Sequence, residues 1–140
     1  MNEENELVMV YGSLKKGFGN HSLIQSSKLI GDVVTEEVFG MVSFGGFPGL
    51  LDPSYYQNSS HFRIQGELYE VTPETFARLD RLEGYPSFYN RKIITAKDIK
   101  DGEYYDCWIY YLNDNSSYVT RDDYINLKLI NESFVNVWER

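Results

Sequence analysis

Apolar and polar positions alternate or cluster over short distances through most of the chain, and two segments keep a helical spacing. Residues 7–11 form an apolar run in which Val8 and Val10 are β-branched and Gly12 marks the end, a pattern that predicts a buried strand. Further strands are predicted at 29–38, 40–44, 62–71, 89–95 and 104–112, separated by clusters of Gly, Pro, Asn and Asp. Asn20 suits a helix cap and predicts a short helical turn over 21–27. Thr72-Pro73-Glu74 is a compact helix start: a capping hydroxyl, a proline whose missing donor costs nothing in the first turn, and an acid that favours the positive end of the dipole. Phe76, Leu79 and Leu82 are expected to share the buried face of that helix. Thr120 with Asp123 resembles a capping box, and Tyr124, Leu127, Ile130, Phe134 and Val137 follow at helical spacing, which predicts a C-terminal amphipathic helix. Residues 52–60, with Pro53 and Asn58-Ser59-Ser60, read as an exposed loop.

The chain has 140 residues, enough for one domain, 1–140, that removes about 68 to 70% of its extended surface from water without covalent staples. Its single cysteine, Cys107, has no internal disulfide partner and lies in an apolar strand, which predicts a reducing, cytoplasmic setting. The first six residues are acidic and unlike a signal peptide, and no run approaches the ~18 apolar residues of a membrane span. With 21 acids against 13 bases the net charge is −8, so nucleic acid and anionic membranes are repelled at long range and a small molecule or protein is the expected partner. The twelve tyrosines and eight phenylalanines serve cross-strand packing as readily as base stacking. Two histidines and one cysteine without ligand spacing predict no metal site, and GSLKKG lacks the Gly-Lys-Ser/Thr ending of a phosphate loop, so no cofactor is expected.

One acid breaks a local rule. Glu83 stands in the last helical turn before Gly84, a left-handed cap, where the dipole disfavours a carboxylate by about 0.3 to 1 kcal/mol. Asp80, three residues earlier, adds like-charge repulsion, and cover by Tyr85, Phe88 and Tyr89 would raise the carboxyl pKa further. A base poised near neutrality suits proton transfer, although a solvated surface acid satisfies the same pattern. Glu67 and Glu70 compete weakly, on opposite faces of one strand, with Glu67 sharing a solvent-like row with Arg63 and Gln65. Ser13 with His21 lacks a nucleophile elbow and an orienting acid. The turn Tyr11-Gly12-Ser13-Leu14 leaves successive backbone N–H groups available for an anion, or is a plain strand-to-helix turn.

Four stretches, VYGSLKKGFGN (10–20), FGGFPGL (44–50), GELYEV (66–71) and LDRLEGYPSFYNR (79–91), resemble in sequence and order the gamma-glutamylcyclotransferase-like family, in particular its gamma-glutamylamine cyclotransferase, AIG2-like branch. The resemblance implies an α+β fold: a mixed β-barrel of about six strands with a few flanking helices, the terminal helix outside it and the site at one barrel mouth. It also implies the reaction. The free α-amine of a gamma-glutamyl amine or peptide attacks its own γ-carbonyl, closing 5-oxoproline and releasing an amine. The substrate supplies the nucleophile, so pre-positioning and proton traffic are what remain for the protein. Carried onto this chain, the resemblance makes Glu83 the general acid/base, Tyr11, Gly12, Ser13 and Leu14 the anion-binding loop, Tyr89 a substrate-orienting hydroxyl or a core aromatic, and Phe47-Pro48-Gly49 a pocket wall. Trp108 and Tyr110 fall on one face of their strand and Ile109 and Tyr111 on the other, and one of these faces is expected to line the pocket. The chain departs from the family pattern at 52–61 and after Asn113. A silent small-molecule binding or protein-interaction module on the same fold is the competing reading. Phe134 and Trp138 finish the core or make a weak homodimer contact.

Overall fold

The structure, a computed structural model, describes residues 4–12, 21–43, 48–52, 62–112, 127–130 and 133–136. Eight strands and one α-helix are present among them: β1 (Glu6–Val10), β2 (Lys28–Ser43), β3 (Pro48–Leu51), β4 (Phe62–Val71), α1 (Pro73–Glu83), β5 (Tyr89–Asp98), β6 (Tyr104–Leu112), β7 (Leu127–Ile130) and β8 (Ser133–Asn136). A short 3-10 turn, His21–Leu23, precedes β2. Strand order is β3-β2-β5-β6-β1-β4-β8-β7, and an additional β2–β4 pairing joins the ring β2-β5-β6-β1-β4 into a closed five-stranded barrel. Most pairings are antiparallel; β1 runs parallel to β6 and β4 parallel to β8, so the barrel is mixed. Among the described residues no helix is long and apolar enough to cross a membrane.

Period-two alternation sorts the strands into two apolar layers. Met9 and Tyr11 from the β1 end, Val33, Phe39 and Met41 from β2, Ile64 and Leu68 from β4, Ile94 and Ala96 from β5 and Cys107, Ile109 and Tyr111 from β6 fill the barrel interior together with Leu50. The intervening Val8, Val10, Tyr69, Val71, Tyr89, Tyr110 and Leu112 pack outward against Phe76 and Leu79 of α1 and against Ile24. Burial pushes the Cys107 thiol up to about 12, with Asp106 adding to the shift, so this sulfur is an inert core atom.

Three sequence expectations change. The strands expected at 29–38 and 40–44 are one continuous β2. Its charged Glu36-Glu37 pair coincides with an irregularity in the β2–β4 register between Val34 and Val38. Thr35, fully buried, holds that bulge: its hydroxyl donates to the Glu37 carbonyl at 2.6 Å and accepts from the Ile64 N–H at 2.9 Å. Thr35→Val is expected to cost about 1 to 3 kcal/mol by stranding both groups; an unchanged urea midpoint would remove the hydroxyl from this role.

The second change is at the C-terminus. In place of the amphipathic helix expected from Thr120 onward, residues 127–130 and 133–136 form the antiparallel pair β7–β8, and β8 adds to β4 at Arg63 and Ile64. Ile130 and Val135 are β-branched, Phe134 is aromatic, and β4 offers backbone groups for pairing, so a sheet edge outweighs a helical spacing. The rest of 113–140, with Trp138 and the 120–123 capping box, lies outside the described residues, and the one α-helix among those described replaces the expected few. The third change concerns the loop at 52–60. Asp52 is 6% exposed and accepts from the Lys92 ammonium at 3.0 Å, which Glu37 also approaches at 3.1 Å. Residues 53–60 lie outside the described residues, and Pro48 and Gly49, expected in a pocket-wall loop, belong to β3.

Candidate active site

The site is built on the way α1 ends. Thr72 caps its start, accepting from the Thr75 N–H at 3.2 Å. At the other end Gly84 adopts φ 64°, ψ 35°, the Gly84 N–H donates to the Arg81 carbonyl at 3.2 Å, and the Tyr85 N–H reaches back to the Asp80 carbonyl at 2.9 Å. This paired reach-back closes the helix in a left-handed cap that only glycine enters at no steric cost. The chain then crosses a cis Tyr85–Pro86 bond and enters β5 at Tyr89.

Helical periodicity decides which side chains this end turns inward. Each three-residue step lags the helical turn by about 60°, so Leu82 has rotated away from the stripe begun by Phe76 and Leu79 and is 44% exposed. Positions four and seven after Phe76 fall back on the stripe, and these carry Asp80 and Glu83. Leu82 was expected on that face and is not there. The missed signal was an acid at a core-facing position, legible from the spacing 76, 79, 80, 83.

Glu83 is partly buried, and burial pushes its carboxyl from an ordinary 4.5 up to about 7. The cause is desolvation. The repulsion from Asp80 expected from sequence is not among the causes of the shift, and Asp80 pairs with Arg91. Three buried tyrosines sense the Glu83 charge: Tyr11 at the end of β1, Tyr89 at the start of β5 and Tyr110 near the end of β6. In each, burial is the first cause of a raised phenol pKa, and the Glu83 charge adds to it, so all three stay protonated donors at neutral pH. The Tyr11 hydroxyl donates to the Tyr110 carbonyl at 2.6 Å, tying the end of β1 to β6 at this mouth of the barrel. Tyr89 packs edge-on against Phe88 with ring centroids 4.8 Å apart.

A second layer lies behind the tyrosines. The Tyr110 hydroxyl donates to Asp80 Oδ1 at 2.7 Å, and Arg91 faces the same carboxylate with Nε 3.0 Å from Oδ1 and its terminal nitrogen 3.4 Å from Oδ2. The Nε contact is electrostatic, lying outside hydrogen-bond alignment. The Arg91 guanidinium carbon sits 4.4 Å from the ring centres of Phe76, Tyr85 and Trp108, which enclose it on the outer face of the sheet.

The structure thus brings Glu83, Tyr11 and Tyr89 to one mouth, with Gly12 buried immediately after Tyr11. Ser13 and Leu14 lie outside the described residues. The face of β6 that meets Glu83 is the one carrying Trp108 and Tyr110; Ile109 and Tyr111 point into the barrel. The competing acid Glu67 is partly buried and accepts from the Tyr69 hydroxyl at 3.0 Å, so its row is not the solvent face expected of it. His21 lies with its ring 6.2 Å from that of Tyr69. Among the described residues no group of three His, Cys, Asp or Glu side chains is placed to hold a metal ion.

The model of the family described as gamma-glutamyl cyclotransferase, AIG2-like, matches residues 8–127. A Methanocaldococcus jannaschii protein provisionally named a gamma-glutamylcyclotransferase is 37% identical over 107 residues, covering 76% of this chain and 83% of its own. The gamma-glutamylaminecyclotransferase of Rattus norvegicus is 32% identical over 116 residues, covering 74% and 75%. In fold, the chain is similar to the crystal structure of an AIG2-like protein from Mus musculus, with a TM-score of 0.70, 22% identity and 99% and 98% of the two chains covered.

Proposed function

Because the chain belongs to the gamma-glutamyl cyclotransferase, AIG2-like family, and is an enzyme of that kind, we propose that it converts a gamma-glutamyl amine to 5-oxoproline and a free amine, with Glu83 carrying the protons. The observation that supports this most directly is the Glu83 carboxyl, brought to about 7 by burial at the end of α1 and facing three protonated phenols. Such a group is half-ionised where the reaction must run, so it accepts and returns a proton with little loss in either direction.

The substrate's α-ammonium gives a proton to the Glu83 carboxylate. The freed amine attacks the γ-carbonyl carbon, forming the ring C–N bond and moving the carbonyl electron pair onto oxygen. When that pair returns, the bond to the leaving nitrogen breaks, Glu83 hands its proton to the departing amine, and the second proton of the ring nitrogen passes to the same amine, which leaves as an ammonium. No water is consumed and the carboxyl ends as it began. Both nitrogens belong to one bound molecule, so the protein's remaining task is to hold the chain of atoms folded for attack, a contribution of up to about 7 to 11 kcal/mol. In this reading the backbone N–H groups of Tyr11, Gly12, Ser13 and Leu14 hold the anionic oxygen, and the Tyr89 hydroxyl orients the glutamyl group.

The test is product formation. Incubating the protein with a panel of gamma-glutamyl amines and peptides is expected to yield 5-oxoproline and free amine in equal amounts by mass spectrometry. Ligand-dependent melting shifts across the panel without 5-oxoproline would overturn the reading in favour of a binding module.

A further inference from the structure

Asp80 and Glu83 occupy the same face of α1, one turn apart, and neighbours at that spacing on a helix repel when both are ionised. One of them has a cation of its own. Asp80 is gripped from two strands, by Arg91 of β5 through both oxygens and by the Tyr110 hydroxyl of β6. Tyr110 is where the two acids meet: after burial, its phenol responds to its bond with Asp80, to the charges of Asp80 and Glu83, and in the opposite sense to Arg91. The guanidinium itself is fixed by three rings, Phe76 from α1, Tyr85 from the turn that follows it and Trp108 from β6. That enclosure is more than an ion pair needs and brings together the last two turns of the helix, its exit turn and two strands. A planar cation between aromatic faces is favourable and geometrically specific, and lysine cannot replace it in shape.

We propose that Arg91 is a positioning residue for Glu83: by cancelling the Asp80 charge and clamping the end of α1 between Trp108 and Tyr85, it sets both the place and the ionisation of the proton-carrying carboxyl. The proposal rests on the assignment of Glu83 above. The groups facing Glu83 are Tyr11 just past the end of β1, Tyr89 from β5 and Tyr110 from β6. All three are neutral through the working range, and Asp80, paired with Arg91, lies one helical turn before Glu83 on α1.

The consequence has a sign. In Arg91→Met, Asp80 keeps its charge and loses its cation, so the Glu83 titration and the acid limb of kcat/KM are expected to move up by about half to one pH unit, with kcat at pH 7 down several-fold. In Asp80→Asn the unpaired guanidinium is expected to move both down by a similar amount. The double variant Asp80→Asn/Arg91→Met restores the neutral sum, and its limb should lie near that of the wild type although the clamp is gone and kcat stays low. Arg91→Lys, which retains the charge and loses the planar stack, is expected to keep the limb and lose kcat, and it serves where Arg91→Met does not fold. Carbon-13 carboxyl NMR of Glu83 follows the ionisation independently of turnover. Loss of activity in Arg91→Met and Asp80→Asn with the Glu83 titration fixed in both, or a shift of it in the same direction in both, would overturn the proposal. Full activity in Glu83→Gln would instead overturn the assignment of Glu83, and the NMR result would still report on Arg91.

Discussion

Glu83→Gln is expected to lower turnover by about 10²- to 10⁴-fold and to stabilise the protein at alkaline pH. The first effect follows from removing the only proposed proton carrier. The second follows from linkage. The Glu83 carboxyl titrates near 4.5 when unfolded and at about 7 in the fold, so the folded state binds this proton more tightly. Below pH ~4.5 both states hold it and the group has no effect. Between those values the unfolded chain ionises first and stability falls as pH rises, and above 7 the full penalty applies, about 3 kcal/mol at pH 8. Glutamine has no proton to lose, so the variant is expected to melt about 6 to 10 °C higher than the wild type at pH 8 and at nearly the same temperature at pH 4. The same titration predicts that wild-type kcat/KM rises with pH through about 7. A variant that kept its turnover, or a stability difference independent of pH, would detach Glu83 from the chemistry or from its desolvated setting. A function that relies on a destabilised group is an ordinary trade of stability for activity.

Gly66→Ala is expected to cost about 3 kcal/mol and most of the activity. Gly66 lies in β4 beside the end of β1, where Val10 pairs with Glu67. A Cβ there would collide with the Val10 carbonyl oxygen and would come within 2.9 Å of the Met9 terminal methyl. The methyl can swing aside; the carbonyl belongs to the backbone and cannot. Relief requires β1 to move away from β4, carrying with it Tyr11 and Gly12 at the site. Melting is expected to fall by about 6 to 12 °C, with kcat/KM reduced even where the variant is fully folded. Wild-type stability in Gly66→Ala would show that the two backbones separate freely.

The GELYEV stretch therefore had a reason that sequence reading did not state: its glycine makes room for a neighbouring strand, and the demand comes from a residue 56 positions away in sequence. Glu83 is a mixed case. Its place at a helix end before a left-handed glycine was legible, as was a raised pKa. The cause was not, because the shift comes from burial and the repulsion assigned to Asp80 has no part in it. Arg91 and Tyr110 stood in plain view as a motif base and a strand aromatic, and nothing along the chain says that they converge on one carboxylate. The face carrying Leu82 was misassigned for a simpler reason: a three-residue spacing drifts off the stripe by the third step.

What the sequence by itself determined was local. Thr72, Pro73 and Gly84 bracket α1, period-two alternation separates barrel interior from outer layer in β6, and β4 and β6 have the predicted bounds because short-range sterics and burial act within a few residues. Only the tertiary structure decided that β2 runs unbroken past Glu36-Glu37, since Thr35 needs the Ile64 N–H across the sheet to stabilise the bulge. It alone decided that residues 127–136 pair as strands where the spacing suggested a helix, because the free edge of β4 supplies hydrogen-bond partners that no local pattern records. It alone buries Glu83 among Tyr11, Tyr89 and Tyr110, residues from three strands, since desolvation is a property of the closed barrel and not of any segment within it.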